Sequence, residues 1–170
     1  MRLTWTLFVV GISLALVGCA GYKLGPTAGF AAGSRSIQIN LFENQTWEPR
    51  LSEAVGSSLR KLIQQDGTYR LATHGEGDVV VTGALTEYRR SVLSNQPRDV
   101  RTPRDFSISL TARVIATERS TGKVLLDREV SGRTTVRSGP DFTSIQRQQL
   151  PLIAEDLARN ITHLLVDGDW

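Results

Sequence analysis

The order of hydrophobic patterns along the chain predicts an α+β fold, a two-layer sandwich with two α-helices packed on one face of the sheet. The sheet is expected to be mixed but mostly antiparallel, with four to five strands. Apolar residues alternate with a period of two in several segments and recur with a helical period in two others. These segments follow one another as strand, helix, four strands and helix, which is the order typical of an α+β sandwich. A chain of 170 residues, 40% of them hydrophobic, is long enough for one such domain.

The first strand and the first helix are predicted by a change of period. Residues 36–42 alternate, with Ile37, Ile39 and Leu41 on one face, as in a half-buried strand. A helix then opens near Pro49 and closes at Gly67. Its apolar stripe consists of Leu51, Val55, Leu59, Leu62 and Ile63.

Two strands are expected after this helix, a short one at residues 69–72 and a longer one at 78–88. The longer strand begins with Val79, Val80 and Val81, which are apolar on both faces and therefore indicate a central position in the sheet. Gly83 in the same strand predicts a bulge or a close approach of another group. The first crossover through the helix allows one parallel strand pair.

The clearest strand covers residues 105–116, where apolar and polar residues alternate strictly. Residues 118–123 supply turn residues with Gly122 near the end, and residues 124–136 return as a long strand, so the two strands are predicted to form an antiparallel hairpin. A second helical stripe closes the chain, formed by Leu150, Ile153, Leu157, Ile161, Leu164 and Leu165. Pro151 fits either the first turn of this helix or the interior of a helix that begins near Thr143.

The first eighteen residues have the pattern of a cleaved signal peptide. Arg2 precedes an uncharged apolar stretch from Leu3 to Val17, which is short for a membrane span. The stretch ends in Leu16-Val17-Gly18-Cys19, which resembles the bacterial lipobox, so Cys19 is expected to carry the lipid that anchors the protein to a membrane. Ala20 after the cysteine favours the outer membrane. Residues 1–18 are then the signal peptide, 19–35 a lipidated tether and 36–170 a single domain.

The composition and motifs argue against several other functions. One cysteine and two histidines fall short of a structural zinc site, and no phosphate-binding loop or dinucleotide fingerprint is present, so no metal or cofactor is expected. A net charge of +3 does not indicate a nucleic-acid-binding protein. His74 lies in a Gly-flanked turn and His163 on the flank of the last helix, and neither has the surroundings of a catalytic base. The chain is therefore not expected to be an enzyme.

Residues 89–104 are the most distinctive stretch of the domain. They hold five arginines and one aspartate, with two prolines, and are interpreted as an extended loop at one end of the sheet. Arg137, at the end of the last long strand, is expected to lie near this loop. Arginines with Val92 and Leu93 among them suit an anionic amphiphile, because a guanidinium pairs with phosphate through two hydrogen bonds. A solvated loop is the equally open alternative.

These features together resemble the LptE family of lipopolysaccharide-assembly lipoproteins. The likeness rests on the lipobox, on Gly21-Tyr22-Lys23-Leu24, on the strand and following residues Ile37 to Thr46, and on the helix from Pro49. It continues through the hairpin around residues 120–123 to the closing helix, and so covers nearly the whole domain.

The resemblance implies a non-enzymatic protein that sits inside the lumen of an LptD-type outer-membrane β-barrel, helps the barrel assemble and binds lipopolysaccharide. It would be anchored in the outer membrane by its lipid and face the periplasm and the barrel lumen. The basic regions of the family correspond here to Arg98, Arg101, Arg104 and Arg137. An alternative with the same anchor and fold is a lipoprotein that docks on and regulates a periplasmic enzyme such as a peptidoglycan synthase.

Overall fold

The chain folds into two layers, a mixed sheet of six strands and two helices that pack on one of its faces. The computed structural model describes residues 32–73, 75–96, 99–137 and 142–168, and their side chains except those of 96–104 and 142–148. The predicted α+β class is confirmed, with six strands in place of the expected four to five. The strands and helices, in chain order, are β1 (Arg35–Ile39), β2 (Glu43–Asn44), α1 (Leu51–Asp66), β3 (Tyr69–Leu71), β4 (Val79–Gln96), β5 (Asp99–Glu118), β6 (Val124–Arg137) and α2 (Phe142–Asp167).

The sheet combines a small parallel part with a long antiparallel part. The strand order is β3-β1-β4-β5-β6, and β2 lies beside β4. The pairs β1–β3, β1–β4 and β2–β4 are parallel, whereas β4–β5 and β5–β6 are antiparallel. The central position predicted for the strand that begins at Val79 is confirmed, because β4 has β1 on one side and β5 on the other.

The core lies between the helices and one face of the sheet. Both helices contribute the apolar stripes that the sequence predicted, and α1 and α2 also pack against each other. Every second residue of β5 from Ile108 to Ala116 is fully buried beneath them. At about 25 cal/mol per Å² of apolar surface, this burial is the main force that holds the two layers together.

The prediction that Leu41 shares the buried face of Ile37 and Ile39 was wrong. The side chain of Leu41 is 62% exposed, while that of Phe42 is 2% exposed and fills the core position. β1 ends at Ile39, so the alternation that placed Leu41 inward is lost where the chain leaves the strand. Gly83 accounts for the position of Phe42, since a Cβ on this glycine would lie 2.8 Å from the Phe42 ring, and the close approach predicted at Gly83 is thereby found.

Helix α1 ends as the sequence predicted. Gly67 adopts a left-handed conformation with φ of 77°, and its N–H donates to the carbonyl of Ile63 over 3.2 Å. This is the usual way for a glycine to satisfy a helix C-terminus. The chain continues directly into β3, which is therefore held beside the last turn of α1.

Helix α2 is the longer of the two alternatives that Pro151 allowed. It begins at Phe142, so Pro151 lies inside the helix and supplies no N–H to the residue four positions earlier. Packing compensates, because Ile153, Leu157 and Ile161 are fully buried against the sheet and α1. The tertiary contacts of the second half of the helix thus outweigh the local cost of the proline.

The side of α2 is joined to the edge strand β6 by polar contacts. The backbone N–H of Arg133 donates to Asp156 Oδ2 over 2.8 Å, and Asn160 Nδ2 donates to the carbonyl of Ser131 over 2.9 Å. Between these contacts Gly132 lets the helix approach, since a Cβ there would lie 2.6 Å from the backbone nitrogen of Leu157. The helix therefore binds the outward-facing backbone groups of this part of β6.

A second polar cluster ties β1 to the start of β4. Asp78 Oδ2 accepts hydrogen bonds from the backbone N–H of Ser36 at 2.8 Å and from its hydroxyl at 2.7 Å. These two bonds hold the pKa of the Asp78 carboxyl below its usual range, and the bond from the backbone N–H has the larger effect. Arg35 pairs with Glu118 across 2.8 Å at the same end of the sheet.

Candidate functional site on the open sheet face

The sheet face opposite the helices carries a band of small hydroxyl side chains. Within the described part of the chain, no helix or strand covers this face of β4, β5 and β6, which we call the open face. A groove of ≈ 490 Å³ runs across it. Its hydroxyl-bearing residues are Ser91, Ser107, Ser109, Thr111 and Ser131.

Strand register places two arginines on either side of one of these serines. Arg89 in β4 lies opposite Ser109 in β5, and Ser109 lies opposite Arg133 in β6. Because neighbouring strands are about 4.8 Å apart, the two arginine Cα atoms are separated by roughly 10 Å. Two guanidinium groups at this spacing can converge on one tetrahedral anion above the serine.

The arginines of the open face differ in how far they are neutralised. Arg113 forms two hydrogen bonds to Asp127, at 2.9 Å and 2.7 Å, which hold the pKa of Asp127 below its usual range and raise that of Arg113. Arg89 pairs with Glu87. Arg133 has no carboxylate within ion-pair distance among the described side chains, so it is the arginine best placed to bind an external anion.

Residues 89–96 and 99–104 of the arginine-rich stretch are in strands, so the expectation of an extended loop was wrong for them. β4 continues to Gln96 and β5 begins at Asp99, with paired residues from Arg89–Ser109 to Gln96–Asp99. The two prolines and the mixed polarity concealed the strands, because Val92 and Leu93 of this two-stranded ribbon are both exposed and the sequence shows no apolar alternation. The register shifts three times between Val92 and Gln96, which further blurs the period.

The predicted ligand residues are distributed around the end of this ribbon. Arg98 lies outside the described residues, as does Cys19. Arg101 and Arg104 belong to β5, and the structure describes their backbone but not their side chains. Arg137 is the last residue of β6 and lies directly opposite Asp105, with Nε 3.2 Å from Asp105 Oδ1.

Asp105 links Arg137 to the ribbon. Its other oxygen accepts a hydrogen bond from Ser94 of β4 over 2.5 Å, so one carboxylate joins β4, β5 and β6. The Arg137 side chain remains 70% exposed despite the ion pair. The expected proximity of Arg137 to the arginine-rich stretch is thus observed, and its outward-facing N–H groups are accessible to a ligand.

Apolar side chains lie beside these cations. Val92 and Leu93 are 52% and 57% exposed on opposite sides of β4. Arg90 stacks on Phe106, with its guanidinium carbon 3.8 Å from the ring centroid, and is half-buried. Arg90 therefore has a packing role, whereas Leu93 lines the groove next to Arg89.

Sequence reasoning missed Arg133, Asp156 and Asn160. Arg133 stood alone between serine, glycine and threonine residues, and only the register of three strands brings it level with Arg89. Asp156 belongs to no motif in the sequence, although its side chain accepts the hydrogen bond from β6. Gly132 was the available signal, because a glycine inside a regular strand indicates a close approach.

Of the two histidines, the structure describes His163. His163 is exposed, and its Nδ1 lies 2.9 Å from Asp167, one helical turn further on. His74 lies outside the described residues. The described side chains include no group of three metal-binding residues, and neither described helix is long and apolar enough to cross a bilayer.

Solved structures with the same arrangement of helices and sheet come from several bacteria. A Xanthomonas campestris protein matches with a TM-score of 0.60 and 7% identity, over 85% of this chain and 91% of its own. A minor lipoprotein of Acinetobacter baumannii matches with 0.54 and 14%, over 79% and 94%. Lipoprotein B of Nitrosomonas europaea matches with 0.50 and 9%, over 81% and 88%. At these identities the likeness establishes the fold.

The fold defines a small two-layer α+β domain of the kind found in these bacterial proteins. The sequence is more specific, since the model of the LptE family, described as lipopolysaccharide-assembly, matches residues 34–166. The chain belongs to the LptE family. The comparison with curated proteins found no match.

Proposed function

We propose that this protein is the plug subunit of a lipopolysaccharide export translocon. It would occupy the lumen of an LptD-type β-barrel, assist the assembly of that barrel and bind lipopolysaccharide during insertion into the outer membrane. Membership of the LptE family supports the general role. The arginine-flanked open face is the observation that supports the binding function.

The open face has the chemistry that a barrel lumen requires. Barrel interiors are polar and wet, so a protein inside one meets hydrogen-bonding groups and not lipid. Short serine and threonine side chains on β5 and β6 keep this face flat and able to donate and accept hydrogen bonds. The buried faces of both helices, in contrast, are already occupied by the core.

The proposed lipopolysaccharide site extends from the open face to the end of the ribbon. Arg89 and Arg133 flank Ser109, and Arg137 lies further along β6, beside the backbone position of Arg104, with Arg101 further towards the end of the ribbon. Arg98 joins this set by its place in the sequence between β4 and β5. The arginines would pair with phosphates of the ligand, and the exposed Val92 and Leu93 would contact its acyl chains.

The N-terminal sequence supports the proposed cellular placement. Residues 1–18 would be removed as a signal peptide, and Cys19 would carry the lipid that anchors the protein in the outer membrane. Residues 19–35 would then connect the lipid to the domain at 36–170. In this role the protein has no catalytic function, as is true of the LptE family in general.

Purification from membranes tests the barrel assignment. An affinity-tagged full-length chain, extracted with a mild detergent, is expected to bring down one large outer-membrane β-barrel at a one-to-one ratio. Recovery of a peptidoglycan synthase in place of a barrel would refute the assignment and support a regulatory lipoprotein. Replacing Cys19 by Ala should prevent the attachment of lipid, measured by mass spectrometry, without changing the fold of the domain.

A binding measurement tests the ligand site. Replacing Arg98, Arg101, Arg104 and Arg137 by Ala should weaken binding to purified lipopolysaccharide while the circular dichroism spectrum stays unchanged. Unchanged binding by the folded quadruple variant would remove these residues from the site. The family assignment would survive that result, because it rests on the whole of residues 34–166.

A further inference from the structure

A partly apolar groove lies between the C-terminal ends of the two helices, away from the open face. It has a volume of ≈ 390 Å³ and is lined by Leu62 and Asp66 of α1 and by His163, Val166 and Asp167 of α2, among others. Leu62 is half-buried, and Val166 is 7% exposed. The groove therefore offers an apolar floor with charged groups at its rim.

The rim carries one carboxylate that the described residues do not neutralise. Asp167 lies 2.9 Å from His163, and Arg159, which also lines the groove, lies 3.4 Å from Glu155. Asp66 accepts a hydrogen bond from the backbone N–H of Thr68 at 3.1 Å, and no cationic side chain in the described part of the chain lies within ion-pair distance of it. An occupant with a positive charge is favoured here.

The chain enters the domain beside this groove. The backbone N–H of Gly33 donates to the carbonyl of Thr68 over 3.0 Å, and Thr68 follows Asp66 by two residues. The residues before Gly33 therefore leave the domain next to the last turn of α1. Phe30 is three residues away, which corresponds to about 10 Å of extended chain.

The composition of this preceding segment matches the groove. Residues 20–31 contain Tyr22, Leu24 and Phe30 as large apolar side chains. Lys23 is their sole charged residue. A segment with apolar side chains and one cation complements an apolar floor whose rim has an unneutralised carboxylate.

We infer that residues 20–31 of this chain dock in the groove between the ends of α1 and α2. Phe30 packs on Leu62 and Val166, and Lys23 faces the carboxylates of the rim. The segment then holds this end of the domain close to residue 19 instead of acting as a free spacer. The inference depends on neither lipopolysaccharide nor a barrel, so it can fail or succeed independently of the proposed function.

Chemical cross-linking of the full-length, detergent-purified chain tests the docking. In the variant Phe30→Cys with Val166→Cys, a short bis-maleimide is expected to give at least fivefold more intramolecular cross-link than in Phe30→Cys with Leu152→Cys. Leu152 is a stringent control, because it is on the same helix and, at 50% exposed against 7% for Val166, is the more accessible position. Equal yields in the two variants would overturn the inference. A predominantly intermolecular cross-link would overturn it too, in favour of a second copy in the groove.

Hydrogen exchange supplies a readout that needs no cysteine. In the full-length chain, Phe30→Ala should increase amide exchange several-fold in peptides that cover residues 62–68 and 162–167, and lower Tm by about 4 °C. Thr27→Ala, a change within the same segment that removes no large apolar group, should leave both unchanged. Identical exchange in Phe30→Ala and the wild-type protein would overturn the inference.

Discussion

Gly132 and Leu157 bring β6 and α2 into backbone contact, since a Cβ added to Gly132 would lie 2.6 Å from the backbone nitrogen of Leu157 and 2.8 Å from its Cα. Backbone atoms cannot move aside as the end of a flexible side chain can. The position of the helix on the sheet is therefore set by the absence of a side chain at one residue.

Replacing Gly132 by Ala should destabilise the domain by about 2 kcal/mol, because the helix must move away from the sheet or the strand must distort. Urea unfolding of the variant and the wild-type protein measures this loss of stability. Ser131→Ala, at the neighbouring residue, should change it by less than about 0.5 kcal/mol. Equal stability of Gly132→Ala and the wild-type protein would show that α2 can shift freely.

Replacing Asp156 by Ala should lower the free energy of unfolding by about 1 kcal/mol, because the Arg133 N–H loses its acceptor in the protein. Asp156→Asn should lower the free energy of unfolding by less, because the amide oxygen can still accept the hydrogen bond from the Arg133 N–H. Exchange of the Arg133 amide, followed by NMR, should be faster in Asp156→Ala than in Asp156→Asn. The same rate in both variants would contradict a hydrogen bond at this position.

The Asp78–Ser36 cluster should make stability depend on acid pH. The pKa of Asp78 in the folded state is below its value in the unfolded chain. The ionised carboxylate therefore contributes fully to the stability of the fold above the unfolded pKa, and this contribution is lost as the pH falls through the folded pKa. Urea unfolding between pH 6 and pH 2 should therefore show a smaller loss of stability in Asp78→Asn than in the wild-type protein. Ser36→Ala should also reduce the slope, and a slope unchanged in both variants would remove this cluster as the source.

Replacing Arg133 by Gln should weaken the binding of lipopolysaccharide by about five- to tenfold, with a smaller dependence of affinity on salt. Arg113→Gln is the matched control, because Arg113 is on the same face but already pairs with Asp127. The double variant Arg89→Gln with Arg133→Gln should bind more weakly than either single variant. Similar losses in Arg113→Gln and Arg133→Gln would indicate a general effect of charge and contradict a defined site.

Much of the fold was predictable because its strands and helices have one buried face each. The stripes of both helices and the alternation in β5 follow directly from the boundary between core and water, and Gly67 and Gly83 marked a helix end and a close approach. Leu41 was misplaced because the alternation continues in sequence past the point where β1 ends. No local signal showed that Phe42 takes the core position.

The candidate site was predictable only in part. A concentration of arginines is visible in the sequence, but consecutive residues such as Val92 and Leu93 are both exposed, so this part of β4 has no hydrophobic period and could not be identified as a strand. Arg133 could not be found for a different reason. Its relation to Arg89 passes through Ser109 and depends on the register of two strand pairs, which no short stretch of sequence encodes.

The hydrogen bonds from α2 to β6 also affect how readily the protein aggregates before it binds a partner. An uncovered edge strand is a template on which strands of other molecules can add, and this leads to aggregation. Asp156 and Asn160 occupy an N–H and a carbonyl in the middle of β6 that such a strand would need. The same two side chains that fix the helix thus protect newly folded copies from one another at this edge of the sheet.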